Sequence, residues 1–186
     1  VAACTGASQG PQNPDDNKLL EEPPKDGEAA PASSAKVQAG IDAIQAGDFA
    51  KAKQILAEAQ SENPKDAQAS FYLAVALEQT GDMPGATENY KKALSLDPKL
   101  PEASQNLSAI LLDGGDAQGA LDVVKKGLDH TPGHPGLLMN HALALEATGD
   151  KNGALAAYGK AAAAQADNLE IAYAYGELLG AAGKKD

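Results

Sequence analysis

A glycine–aspartate pair recurs four times along the chain at a constant spacing of 34 residues. The pairs are Gly47-Asp48, Gly81-Asp82, Gly115-Asp116 and Gly149-Asp150. On either side of each pair, apolar residues follow the three-to-four-residue spacing that places side chains on one face of a helix. Glycine suits the left-handed residue that ends a helix, and aspartate caps the start of the next one. Each unit is therefore predicted to be a helix-turn-helix. Because one such unit cannot bury its own apolar face, the units are expected to stack on one another.

Other positions repeat with the same period. Small residues recur at two positions of the second helix: Ala52, Ala86, Ala120 and Ala154, then Ala59, Ala93, Gly127 and Ala161. The larger residue between them is Leu56, Tyr90, Val124 or Tyr158. Proline closes three of the units, at Pro64, Pro98 and Pro132. This pattern resembles the tetratricopeptide repeat, whose units share this length and these small, aromatic and proline positions.

The resemblance covers residues 33–186 and implies an all-α fold. The expected architecture is a right-handed α-solenoid of four helix-turn-helix units, 33–66, 67–100, 101–134 and 135–168. The segment from Leu169 matches the first helix of a fifth unit, and a capping helix over 169–182 is expected to cover the end of the stack. Because that helix carries few charges, self-association through it is a further expectation.

Two departures from the family pattern lead to structural expectations. The tryptophan that many of these repeats carry early in the first helix is replaced, which predicts lighter packing within each unit. The residues at that position are Lys36, Ser70, Ser104 and Leu138. The fourth unit has Ala166 where the others have proline, so its second helix is expected to continue through Gln165.

Charge and composition argue against several classes of function. The formal net charge is −11 at pH 7, and the sequence contains no arginine. Nucleic-acid binding requires clustered positive charge, so no nucleic-acid partner is expected. The sequence has no glycine-rich phosphate loop, nucleophile elbow or pair of carboxylates in a catalytic pattern. We therefore expect no catalytic residue, no cofactor and no enzyme activity.

The three histidines are the residues to test as a metal site. His130 and His134 flank a turn, and His141 follows on the next helix. No Asp, Glu or Cys stands at ligand spacing from them, so no metal site is predicted. Other units carry Ala39, Leu73 and Leu107 at the position of His141, which indicates a packed and hydrogen-bonded core residue.

The first four residues, Val1-Ala2-Ala3-Cys4, resemble a bacterial lipobox. In that motif a signal peptidase cuts before the cysteine, to which lipid is attached. The resemblance implies that residues 1–3 remain from a signal peptide and that Cys4 is the lipidation site. Thr5, rather than aspartate, follows the cysteine, which resembles the signal for transport to the outer membrane. The alternative is a tag remnant with an inert thiol.

Residues 4–32 are predicted to be a disordered linker. They show no hydrophobic periodicity and are rich in Pro, Gly, Asp and Glu, so they cannot bury enough apolar surface to offset the entropy of ordering. A flexible segment of this length has a root-mean-square reach of roughly 30 Å and an extended limit of roughly 95 Å. The linker is therefore long enough to hold a folded domain away from a membrane.

In the family that the repeats resemble, first helices line a concave groove that holds extended peptides or partner helices. Transferring that geometry predicts a protein-binding site, and the residues assigned to it are Gln38, Ile41, Phe71, Tyr72, Val75, Gln105, Asn106, Leu112, Met139, Asn140, Leu143 and Tyr173. Gln38, Tyr72, Asn106 and Asn140 form a polar ladder one repeat apart. A side-chain amide offers both a donor and an acceptor, so Asn106 and Asn140 are candidates to bind a ligand backbone.

These features together favour a non-catalytic scaffold that binds another protein. The leading hypothesis is a lipoprotein of the bacterial outer membrane, facing the periplasm, that binds a cell-envelope partner through the groove. It resembles the repeat lipoproteins that assist secretin and pilus assembly, the pilotins, or that dock envelope enzymes. Two alternatives remain open: a soluble adaptor or chaperone, and a regulatory subunit of a peptidoglycan hydrolase.

Overall fold

A computed structural model of the chain describes residues 32–165 and 167–181. Cys4, the lipobox and nearly all of the predicted linker lie outside these residues. The described part is all-α and contains no strand. Its helices are α1 Ala32–Gln45, α2 Phe49–Glu62, α3 Ala67–Gln79, α4 Met83–Leu96, α5 Pro101–Asp113, α6 Ala117–His130, α7 Pro135–Ala147, α8 Lys151–Ala164 and α9 Leu169–Ala181.

The four glycine–aspartate pairs are equivalent bends between the two helices of each unit. Gly47, Gly81, Gly115 and Gly149 have φ values of 76°, 82°, 81° and 87°, in the left-handed region that suits glycine. The aspartate that follows each glycine caps the next helix: Asp82 Oδ1, for example, accepts from the Gly85 backbone N–H at 3.0 Å. The pattern of helices and turns predicted from the period is confirmed.

The repeated small and large positions of the second helices all lie in the interior, together with apolar residues of the first helices. Leu56, Tyr90 and Val124 have no accessible surface, and Tyr158 has almost none. Small neighbours such as Ala52 and Ala86 are equally buried. Because these alanines have short side chains, the paired helices approach closely and the larger residue fills the space between them.

In the second and third units, a buried serine occupies the position at which the family often carries tryptophan. Ser70 and Ser104 are both buried, and Ser70 Oγ accepts a hydrogen bond of 3.0 Å from Gln60 Nε2. Gln60 also donates to Asn89 Oδ1 at 2.7 Å. In the second unit, a polar network between helices therefore occupies part of the volume that an indole ring would fill.

One expectation about helix length is wrong. Helix α8 ends at Ala164 and has 14 residues, the same length as α2, α4 and α6, although its unit lacks the closing proline. The Gln165 backbone N–H donates to the Ala161 carbonyl at 2.9 Å. Asn168 Oδ1 then accepts from the Ile171 N–H at 3.2 Å at the start of α9. The start of the next helix therefore ends α8 without a proline.

Two pairs of neighbouring first helices approach each other. Consecutive helices pack on one another along the described chain, and two contacts skip a helix: α1 contacts α3, and α5 contacts α7. Both of these contacts join first helices, the side on which the family resemblance predicts the concave groove.

Among the described residues, no helix is both long enough and apolar enough to cross a bilayer.

Candidate functional site

We use the name groove face for the partly exposed side of the first helices, formed by Gln38, Phe71, Tyr72, Val75, Glu78, Glu102, Gln105, Asn106, Leu112, Asp113, Met139, Asn140, Leu143, Glu146, Tyr173 and Glu177. Its exposed apolar side chains lie toward the C-terminal half. Leu143 is 36% exposed and Tyr173 is 69% exposed, whereas Leu112 and Met139 are partly buried. The surface available for an apolar contact is therefore concentrated on α7 and α9.

Among the predicted site residues, Ile41 has the smallest exposed fraction. It is 8% exposed and packs with Val37, Ala59 and Ala69 in the core of the first unit. On the same helix, Gln38 is exposed, and its amide donates to Asp42 Oδ1 at 2.9 Å. The first unit therefore presents a mainly polar surface to a ligand.

An aromatic cluster lies beneath the groove face in the second unit. The Phe71 and Tyr72 rings meet edge to face, with centroids 5.0 Å apart, and Phe71 also lies 5.9 Å from the buried Tyr90 ring. Burial, together with the negative charge of Glu102, raises the pKa of the Tyr72 hydroxyl. The partly exposed edges of Phe71 and Tyr72 belong to the groove face, while Tyr90 supports them from below.

The side-chain amides of the polar ladder bind the protein itself through their N–H groups. Asn106 Nδ2 donates to the Tyr90 hydroxyl at 3.0 Å. Asn140 Nδ2 donates to the Gln105 carbonyl and to Ser108 Oγ, both at 2.9 Å. Among the described residues, no donor reaches the amide oxygen of either asparagine. Both amides therefore hold neighbouring units together and retain an acceptor for a ligand.

A hydrogen bond from a buried tyrosine to a glutamate supports the groove face in two of the units. The Tyr90 hydroxyl donates to Glu78 Oε2 at 2.7 Å, and the Tyr158 hydroxyl donates to Glu146 Oε2 at 3.0 Å. The sequence contained a signal for this pairing that was missed: glutamate in the first helix always accompanies tyrosine in the second. In the other two units both positions are apolar, as Ile44 with Leu56 and Leu112 with Val124.

The surroundings of Glu78 raise the pKa of its carboxyl group. Burial raises the pKa of the Glu78 carboxyl, the hydrogen bond from Tyr90 lowers it, and the negative charge of Asp113 raises it further. The same burial and the nearby Glu78 charge raise the pKa of Tyr90. Glu78 and Asp113 belong to neighbouring first helices, so the groove face carries negative charge from more than one unit.

The three histidines have different surroundings. In the part of the chain that the structure describes, no group of three or more His, Cys, Asp or Glu side chains is placed to hold a metal ion. His134 caps α7, where its Nδ1 accepts from the Leu137 N–H at 3.3 Å. His130 is exposed at the end of α6, and His141 is half-buried on α7.

His141 is expected to make the protein less stable in mild acid. Burial and the positive charges of Lys125 and Lys160 lower its pKa, so the folded protein binds this proton more weakly than the unfolded chain. The contribution of neutral His141 to stability is complete above the pKa of the unfolded chain, about 6.5. It is lost as the pH falls through that value toward the lower pKa of the folded protein. When the pH is lowered from about 7.5 to about 5, we expect the free energy of unfolding to fall more for the wild type than for His141→Leu.

Urea unfolding of the wild type and of His141→Leu at these two pH values measures the effect. Leucine is the matched replacement because Leu73 and Leu107 occupy the same position in the second and third units. His130→Gln, at an exposed site, is the control and is expected to follow the wild type. A difference between wild type and His141→Leu that stays constant with pH contradicts the prediction.

Comparisons with known proteins agree with this architecture. Residues 37–101 match the family model described as tetratricopeptide repeat. No curated protein sequence matches the chain. Among solved structures, MamA (41-end) from Desulfovibrio magneticus RS-1 has a TM-score of 0.74 at 18% identity, covering 84% of this chain and 89% of MamA.

Two other structures are similar. PilF of Pseudomonas aeruginosa has a TM-score of 0.74 at 22% identity, covering 82% of this chain and 70% of PilF. TTC0263, a thermophilic TPR protein of Thermus thermophilus, has a TM-score of 0.63 at 24% identity, covering 82% of this chain and 84% of the other. At these identities the likeness shows the fold alone. The tetratricopeptide-repeat match thus covers residues 37–101, and the described helices as a whole have the fold that the solved TPR structures share.

Proposed function

We propose that the chain is a non-catalytic scaffold of the bacterial cell envelope that binds another protein through the groove face. The fold supports protein–protein interaction in general. The observation that carries the proposal is the exposure of Leu143 and Tyr173 on the successive first helices α7 and α9, together with the amide oxygens of Asn106 on α5 and Asn140 on α7, which are left to accept. An apolar contact area with hydrogen-bonding groups beside it suits an extended peptide or a helix.

The polar ladder is not the best place to test this binding. Asn106→Ala and Asn140→Ala would each remove a hydrogen bond between units, so lost binding could reflect lost stability. Exposed side chains that the stack does not need are better targets. A double variant, Leu143→Ser with Tyr173→Ser, is expected to keep the fold and to reduce partner binding at least tenfold, because exposed apolar anchors dominate such interfaces.

The matched control is Met83→Ser with Leu96→Ser. Met83 and Leu96 are 43% and 37% exposed, but both lie on the second helix α4. Crosslinked capture from envelope extracts, quantified for the wild type and both double variants, is the measurement. Equal loss of captured protein from both double variants would argue that binding is not specific to the groove face.

The proposal places the scaffold at the outer membrane, facing the periplasm, through lipid on Cys4. Its support is the lipobox pattern of residues 1–4 and the length of the segment that follows, all outside the described residues. A single acyl chain anchors only marginally, whereas the two or three chains of a bacterial lipoprotein suffice for stable residence in a membrane. The lipid would set the location, the linker the reach and the groove face the partner. The partner would be a component of secretin or pilus assembly, or an envelope enzyme.

Removal of the anchor tests the location. With the protein expressed from its natural gene, Cys4→Ala is expected to move most of it from the membrane fraction to the soluble fraction, with thermal unfolding unchanged. Thr5→Asp is the second variant, and it is expected to stay in membranes but to shift from outer to inner membrane on a sucrose gradient. If the wild type and Cys4→Ala are both in the soluble fraction, the soluble adaptor hypothesis replaces the lipoprotein hypothesis. If both stay in membranes, lipid on Cys4 is not what holds the protein there.

A further inference from the structure

The lysines of the described helices are concentrated on the second helices of the units. The first helices α3, α5, α7 and α9 contain no lysine, whereas each of the second helices contains two. The latter are Lys51 and Lys53 on α2, Lys91 and Lys92 on α4, Lys125 and Lys126 on α6, and Lys151 and Lys160 on α8. On α1, Lys36 pairs with Glu62 at 2.6 Å on α2. The overall net charge alone does not explain why the lysines are concentrated on the second helices.

The groove face carries only acidic charge among the described residues. Its carboxylates are Glu78, Glu102, Asp113, Glu146 and Glu177. Their charges act on one another and on their neighbours: after burial, Asp113 is a cause of the raised pKa of Glu78, and Glu102 is a cause of the raised pKa of Tyr72. Negative potential thus extends over the second and third units rather than residing at one position.

Hydrogen-bonding groups of the groove face point to the same kind of ligand. Asn140 donates two hydrogen bonds within the stack and Asn106 donates one, while the amide oxygen of each side chain is left to accept from a ligand. Carboxylates, when ionised, also offer only acceptors. A partner that brings donors and positive charge satisfies this face, whereas an acidic partner would place like charges side by side.

We propose that the segment bound in the groove face is basic and amphipathic, with lysine or arginine side chains facing Asp113 and Glu146 and apolar side chains on Leu143 and Tyr173. This inference rests on the proposed use of the groove face for binding. It commits to a protein segment as the occupant, because the exposed apolar side chains at the C-terminal half require an apolar complement as well as a cationic one. A positively charged segment would also associate faster with the acidic groove face. This attraction would weaken as the salt concentration rises.

Three synthetic helical peptides of about 16 residues provide the probe. All three carry the same leucines at helical spacing and one tryptophan, while the remaining positions are lysine, glutamine or glutamate. Because the protein contains no tryptophan, fluorescence excited at the indole band reports the peptide alone. We expect the lysine peptide to bind about tenfold more tightly than the glutamine peptide, and the glutamate peptide to bind most weakly. The difference in affinity between the lysine and glutamine peptides should shrink as salt rises from about 0.05 to about 0.5 M.

Neutral variants identify where the attraction arises. Asp113→Asn with Glu146→Gln is expected to weaken the lysine peptide about three- to tenfold and to leave the glutamine peptide unchanged, since only charge is removed. The control pair, Glu88→Gln with Asp129→Asn, changes the net charge equally on exposed sites of second helices. It is expected to alter lysine-peptide binding by less than about twofold.

The outcomes separate this inference from the proposed function. Equal binding of lysine and glutamine peptides, both lost in Leu143→Ser with Tyr173→Ser, would keep the groove face as a binding site and overturn the preference for basic partners. An equal effect of the two neutral pairs would overturn it too, because the attraction would then be to net charge. Failure of all three peptides to bind also overturns it, while capture by the two serine double variants decides the proposed function separately.

Discussion

Replacing Tyr90 by alanine is expected to lower the free energy of unfolding by about 3–5 kcal/mol, as large aromatic-to-alanine changes in a core do. Tyr90 has no accessible surface and contacts the ring of Phe71. Its hydroxyl also joins helices of two units, because it donates to Glu78 and accepts from Asn106. Alanine would leave a cavity, a half-buried carboxylate without its donor and an amide without its acceptor. Urea unfolding followed by circular dichroism measures the loss.

Tyr90→Phe separates the hydroxyl from the ring. Because the ring volume is retained, we expect a loss of about 1–3 kcal/mol, the range for leaving buried polar partners unsatisfied. Tyr173→Phe is the control: its hydroxyl donates to Glu177 at 2.8 Å on an exposed surface, so a change within about 0.5 kcal/mol is expected. If the two phenylalanine variants cost the same, the hydroxyl network at Tyr90 does not contribute to stability.

The period of the sequence was enough to predict the helices and the turns between them. The 34-residue spacing of the glycine–aspartate pairs placed each bend, because only glycine readily adopts the positive φ that these bends require. Backbone geometry of this kind depends on local residue types. For the same reason the buried small and large positions, such as Ala86 and Tyr90, could be assigned from their spacing alone.

Side-chain partners across helices could not be predicted in the same way. Glu78, Tyr90 and Asn106 lie on three different helices, and whether they meet depends on how far each helix is rotated about its axis. The assignment of twelve residues to a binding site in the groove remains a prediction. The structure nevertheless assigns Asn106 and Asn140 a role in joining units that residue type alone did not reveal. Helix α8 ends at the same position of its unit as the other second helices, so the closing proline is not required for that end.

The capping helix α9 is expected to stabilise the last unit and not the first. A chain that ends at Gln165 lacks Ile171, which is buried against Leu138 and Ala161, and also lacks the packing of Tyr175 and Leu178 near Tyr158. We expect a loss of about 2–4 kcal/mol after the entropy of ordering α9 is subtracted from the burial of these side chains. The denaturant m value should also fall, since less surface becomes exposed on unfolding.

Native-state hydrogen exchange tests where that loss occurs. Because each unit of a stack contacts only its neighbours, truncation at Gln165 should accelerate exchange in α7 and α8 and leave α1 to α4 nearly unchanged. Tyr173→Ser is the control within α9, because that side chain is 69% exposed and removing it should leave both the urea midpoint and the exchange pattern unchanged. Equal acceleration in α3 and α8 would contradict the nearest-neighbour account and show that the stack unfolds as one cooperative unit. The position of this boundary also bears on binding, since Leu143 and Tyr173 keep their places in the groove face only while α7 and α9 remain packed.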